Sequence, residues 1–352
     1  MRRGSTTRSV GTLLAALFFA AGVAAQSPAV NPQEADFAKQ QQQRQFAQPL
    51  NNAPVWKEIR SGLPQVTTVQ GRETNVLIEP MGQTWRAARV PVATVGGLLV
   101  ALALASLAAF HAIRGQITTE SRPGERQIQR FEPADRWAHW LLAGVWVTCA
   151  ITGLILSLGK SVLLPLIGYT LFSWLATIAK LLHNFTGPVL TVALPVFIVL
   201  IVRDNVPKAY DMQWLAKFGG MLDRTGKTHV PAGKFNAGEK ALFWLLVCVL
   251  SVILVVTGLI LDFPNFDQTR GTMQLANLIH MIAALLAIAM AAFHIYLGTI
   301  GMRGAYDAMR YGYVDETWAR EHHEYWYNDV AAGKVDRGAA PAGGPLPQHG
   351  PA

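Results

Sequence analysis

Five of the nine histidines fall within or at the ends of long apolar runs: His111, His139, His183, His280 and His294. An ionisable side chain inside a bilayer is costly and usually functional, and a neutral imidazole is the commonest metal ligand. His280 and His294 are 14 residues apart. At about 100° per residue this is close to four whole turns, and at about 1.5 Å rise it is about 21 Å. One helix thus offers two imidazoles on one side at two depths. Facing helices that supply a partner at each depth would complete two bis-histidine sites, the way bundle cores hold cofactors. Haem iron takes such axial ligands. The two cysteines, Cys149 and Cys248, offer no disulfide framework, zinc site or C-x-x-C-H for covalent haem. The haems expected are therefore of the non-covalent b type.

The apolar runs that carry these histidines cover residues 92–113, 137–158, 182–202, 241–261 and 275–300. Each reaches the roughly 20 residues that a helix needs to cross a bilayer, and in lipid the backbone must satisfy its own hydrogen bonds, so they are expected to be helices. The expected fold is an all-α integral membrane helical bundle: a four-helix di-haem core over 137–300 plus one extra N-terminal transmembrane helix over 92–113. The net charge of +8 does not point to nucleic acid, because the basic residues sit in loops beside the spans.

Residues 1–25 read as a signal peptide, with Arg2, Arg3 and Arg8 before a short apolar stretch and Val23-Ala24-Ala25 as the cleavage site. An uncleaved anchor is the alternative. Residues 26–91 are expected to be a periplasmic tether and partner-binding segment, polar around Gln40–Gln43, Asn51 and Asn52. Loop charge sets orientation. Segment 114–136 carries five arginines, 203–240 carries seven Lys or Arg, and the tail 301–352 holds Arg303, Arg310 and Arg320; the opposite loops have only Lys160, Lys180 and Arg270. The basic loops are expected in the cytoplasm, which gives a bacterial inner-membrane protein with a periplasmic mature N-terminus and a cytoplasmic C-terminus.

This topology assigns depths. His139 begins an outward-going helix and His183 an inward-going one, so His183 matches His280 near the outer face and His139 matches His294 near the inner face. His111 also lies near the inner face and on depth alone could replace His139. Blander roles exist: His139 between Trp137 and Trp140 suits an aromatic belt, and His183 beside Asn184 suits a helix cap. Thr152-Gly153-Leu154-Ile155-Leu156 recurs as Thr257-Gly258-Leu259-Ile260-Leu261 at the outer ends of two outward-going helices. The glycines either admit a porphyrin face to the backbone or serve small-residue helix packing.

Taken together, Asp135-Arg136-Trp137-Ala138-His139-Trp140, Lys234-Phe235-Asn236-Ala237-Gly238-Glu239-Lys240, the His280/His294 spacing and Trp318-Ala319-Arg320-Glu321-His322-His323 resemble the gamma subunit, the cytochrome b, of membrane-bound formate dehydrogenase. The resemblance covers roughly 127–328; the residues before it resemble a long form with a signal and an extra span. It implies two haem b, with His183 and His280 holding the outer iron and His139 and His294 the inner, which disfavours His111. It also implies an iron–sulfur beta subunit as donor, a molybdenum- or tungsten-containing alpha subunit that oxidises formate, and a membrane quinone as acceptor.

The resemblance further implies a quinone site at Asn236, Gly238 and Glu239, next to the inner haem. Glu239 stands where Gln is common, and would serve as a proton acceptor favoured in its ionised form by Lys234 and Lys240. On the residues alone, Asn236 and Glu239 also read as a capping box. For His322 and His323 a solvated helix face is expected in preference to a metal site. Two other functions stay open: the cytochrome b of a nickel–iron hydrogenase or thiosulfate reductase, and a non-haem transporter that uses membrane histidines.

Overall fold

The computed structural model describes residues 39, 43, 53–61, 80–119, 121, 124, 126–221, 223 and 228–335. The signal peptide, its cleavage site and most of the tether lie outside them, as does Arg224. Among the described residues five segments are long and apolar enough to cross a membrane: Pro80–Arg114, Pro133–Val162, Leu164–Asn205, Ala237–Asp262 and Arg270–Gly301. The helices are α1 (Ala53–Arg60), α2 (Pro80–Arg114), α3 (Pro133–Val162), α4 (Leu164–Thr186), α5 (Leu190–Ile201), α6 (Tyr210–Ala216), α7 (Ala237–Leu242), α8 (Ser251–Asp262), α9 (Arg270–Tyr296), α10 (Ala305–Tyr311), α11 (Glu316–His322) and α12 (Glu324–Ala331).

The chain divides into two compact units, residues 1–91 with 259–279, and residues 92–258 with 280–352. In the first, Trp85 Nε1 donates to Asn277 Oδ1 at 2.8 Å and the Arg89 guanidinium lies over the Trp85 ring. The second contains the histidines of the apolar runs and their surroundings.

In the second unit α3 starts at a capping box between Glu132 and Asp135, with Pro133 as its first residue. It packs on α5 and the π-helical turn Phe243–Leu250 through Ala138, Leu142, Ala193, Leu194, Phe197, Phe243 and Val247. Small residues let helices approach closely where no hydrophobic force separates helix from lipid. Ala287 and Ala291 of α9 pack against Leu246 in this way, and Val100 and Ala103 of α2 meet Leu285 and Ala289. A Cβ at Gly96 would stand 2.2 Å from Leu285 Cδ1, so that crossing requires glycine.

The third span differs from expectation. Helix begins at Leu164, not near residue 182, and continues through a 3₁₀ turn at Gly187–Val189 into α5. At about 1.5 Å per residue this segment is longer than a bilayer core is thick. The excess lies in the amphipathic first half, where Gly168 breaks the helix with φ 76° and Tyr169 and Trp174 are exposed, as interfacial aromatic residues are. Its mixed polarity makes it read as a loop.

A second difference concerns 114–136 and the tail. Gln127–Gln129 (β1) pairs antiparallel with Tyr313–Asp315 (β2), with Ile128 opposite Val314. Around this ribbon Ile128, Phe131, Phe235, Ala308, Val314, Trp318, Ala319 and Trp326 form a separate buried core. The linker and the tail are thus one folded cap.

Candidate functional site

In the second unit α3, α4, α8 and α9 bring four histidines into two facing pairs. The His183 and His280 ring centroids are 6.1 Å apart with planes at 78°, and those of His139 and His294 are 6.0 Å apart at 60°. A metal bonded to one nitrogen of each of two imidazoles at about 2 Å stands roughly 3 Å from each ring centroid. Both pairs are at the separation such a metal requires, so the residues fit the iron of a bis-histidine haem. In the inner pair the Nδ1 of His139 is buried with no hydrogen-bond partner among the described residues, as a ring held for something other than a protein hydrogen bond would be.

The outer pair is oriented by the repeated Thr-Gly. Thr152 Oγ1 donates to the Thr148 carbonyl at 2.7 Å and stands 2.9 Å from His183 Nδ1. Thr257 Oγ1 donates to the Ile253 carbonyl at 2.6 Å and stands 2.8 Å from His280 Nδ1. A hydroxyl has one proton. With that proton committed to the backbone, each oxygen accepts from Nδ1–H, which leaves the lone pair on Nε2. Such outer partners fix the tautomer and ring orientation of a metal-binding histidine. A Cβ at Gly153 would stand 3.3 Å from His183 Cε1, and one at Gly258 3.4 Å from His280 Cε1. The space beside the glycines is therefore taken by the imidazoles. The sequence singles out the repeat but not the hydroxyl, whose partner lies on another helix.

His111 is engaged elsewhere. Its Nδ1 is 3.1 Å from Tyr296 Oη and the two rings meet edge to face.

The segment from Lys234 to Lys240 is organised by polar contacts within the second unit. Asn236 Oδ1 accepts from the Glu239 amide at 2.9 Å and Glu239 Oε2 from the Asn236 amide at 2.8 Å, which starts α7 with a capping box. Gly238 is required, since a Cβ there would meet Trp214 Cη2 at 2.8 Å. The cation against Glu239 is Arg130, at 3.0 Å, with side chains 4% and 35% exposed. Lys240 instead pairs with Asp211 at 2.8 Å and Lys234 with Asp204. Arg130, from the linker before α3, carries no sequence signal that marks it as this partner.

The cap corrects the reading of the histidine pair in the tail. His323 is 1% exposed, and its Nδ1 donates to the Gly233 carbonyl at 2.7 Å. His322 has a buried Nε2 and packs against Trp318 with the two rings tilted. Burial holds His322 down to about 4, and it holds His323 well below the ordinary 6.5, with Arg130 adding to both. Neither is a solvated face. No group of three or more His, Cys, Asp or Glu suited to a metal ion occurs among the described residues.

A family model described as prokaryotic cytochrome b561 matches residues 130–312. The cytochrome b556 subunit of the nitrate-inducible formate dehydrogenase of Escherichia coli is 29% identical over 213 residues, 58% of this chain and 92% of its own length. A second Escherichia coli formate dehydrogenase cytochrome b556 subunit is 29% identical over 216 residues, 58% and 93% of the two chains. The formate dehydrogenase cytochrome b556 subunit of Haemophilus influenzae is 27% identical over 222 residues, 60% and 87%.

Proposed function

This chain belongs to the prokaryotic cytochrome b561 family, and on that premise we propose that it is the membrane-anchoring di-haem cytochrome b subunit of a formate dehydrogenase complex, passing electrons from an iron–sulfur subunit to quinone. The observation that carries the proposal is the two facing histidine pairs, 6.1 and 6.0 Å between ring centroids. His183 and His280 hold the outer iron, His139 and His294 the inner. The partners are an iron–sulfur beta subunit and a molybdenum- or tungsten-containing alpha subunit; the relatives' names favour formate over the hydrogen or thiosulfate of related complexes. Family membership also argues against a non-haem transporter.

Haem b, when bound, supplies a one-electron redox centre at each pair. The chain's own residues hold and tune it. Thr152 and Thr257 keep the Nδ1 proton of each outer imidazole and so present Nε2. Apolar helices exclude water around both pairs. Asn236, Gly238 and Glu239 border a quinone on the cytoplasmic side, and the Glu239 carboxylate, partly exposed beside Arg130, takes a proton from the cytoplasm and hands it on.

Pyridine haemochrome analysis is expected to give two haem b per chain. His183→Ala loses the outer haem and His139→Ala the inner, whereas His111→Ala keeps both. Loss of a haem in His111→Ala with two retained in His139→Ala would show that the inner pair is wrongly assigned. Glu239→Ala, with both haems bound, slows quinone reduction more than haem reduction by formate.

A further inference from the structure

Between α2, α3 and α9 lies an open-sided cavity, a groove of about 680 Å³, within the size range of small-molecule sites. Its walls are aliphatic, among them Leu107, Ile151 and Ile288, and they include the hydrogen-bonded pair His111 and Tyr296 with Trp146. We propose that this cavity holds an isoprenoid quinone, its tail along the aliphatic wall and a ring oxygen at His111 and Tyr296. This rests on the reading of the chain as a quinone-linked cytochrome, and adds a site distinct from the Asn236–Glu239 loop.

The lining decides between occupants. No Lys or Arg contributes to it, so it lacks the basic group that an anionic lipid head would need. A hydrocarbon chain alone has no use for a polar pair. A quinone is slender, apolar along its length and neutral at its head, where each carbonyl oxygen accepts from a phenol O–H or an imidazole N–H. The aromatic side chains offer faces for a flat ring.

The polar pair is built in. Tyr296 is buried, and a Cβ at Gly301 would stand 2.7 Å from its Cε1. The π-helical turn Leu297–Gly301 thus closes over the phenol, and π turns are frequent at functional sites. Tyr296 follows His294 by two residues on α9, at the level of the inner pair. Exposed residues of the cavity wall, such as Ile151 and Ile300, leave a way in from the lipid. His111 comes from the extra span, which gives that span a task in the chemistry.

The test measures quinone extracted per haem from the purified complex. His111→Leu and Tyr296→Phe are each expected to lower the share held at this site about five- to tenfold, the worth of one hydrogen bond. Ala108→Trp, which fills the site, is expected to remove that share completely, leaving only quinone held at the Asn236–Glu239 loop, with both haems retained. Wild-type quinone content in Ala108→Trp, or phospholipid instead of quinone released from the wild type in native mass spectrometry, overturns the proposal. Reoxidation of the reduced wild-type haems by added quinone is read alongside. Its absence would fell the function proposed above; its presence, with unchanged quinone content in the variants, fells the cavity site alone.

Discussion

At the scale of residues, one hydroxyl proton decides which imidazole nitrogen is available to a metal. Thr152 and Thr257 spend theirs on backbone carbonyls and accept from His183 and His280. Thr152→Val and Thr257→Val keep the shape and lose the acceptor. Each is expected to weaken retention of the outer haem by about 10- to 100-fold, the usual effect of removing such a partner, with the inner haem unaffected. Haem transfer to a scavenging protein measures this, and Thr→Ser restores retention. Equal retention in the Val variants would mean that packing alone orients the rings. The histidines are legible in sequence because an ionisable group in lipid is conspicuous. The threonines are not, because a serine or threonine that bonds its own helix is ordinary and the contact that matters spans 31 residues in one case and 23 in the other.

Among the elements, the five spans are legible because an uninterrupted apolar run of about 20 residues is rare outside a membrane-spanning helix. The amphipathic start of α4 and the cap are not. The ribbon has three residues per strand and unites positions 127 and 315, too short for an alternating pattern and too distant for a hairpin signal. The cap's stability depends on two neutral histidines. In the unfolded chain both take up protons near 6.5, whereas burial keeps His322 neutral down to about 4 and His323 further still. Below 6.5 the unfolded state binds more protons, so stability is full above that pH and falls as pH drops towards 4. Amide exchange over 313–331 is expected to lose protection across this window, and His322→Gln to lessen the loss. Protection that is constant from pH 7.5 to 4.5 would contradict it.

For the whole molecule, the orientation we propose is the one that loop charge predicts, with the basic loops in the cytoplasm. A reporter active only in the periplasm is expected to work when fused within 262–268 and to fail after Arg320. The reverse pattern would invert both haem sites and put Glu239 on the wrong side for cytoplasmic protons. The same orientation accounts for the separation of roles along α9. His280 and His294 are about 21 Å apart on one helix, a large part of the roughly 30 Å thickness of a hydrocarbon core.

The Thr-Gly pairs also bear on design. Helix α3 supplies the threonine for His183 on the following segment, and α8 supplies the one for His280 on α9. Each hydroxyl and imidazole thus belong to one helical hairpin, and the outer pair lies where two such hairpins meet. The inner pair lacks this relation, because His139 is on α3 itself. A synthetic hairpin copied from α8 and α9, with His294 replaced, would therefore carry half of a site; two copies about a twofold axis would make a whole one, a route to a homodimeric protein with a single haem.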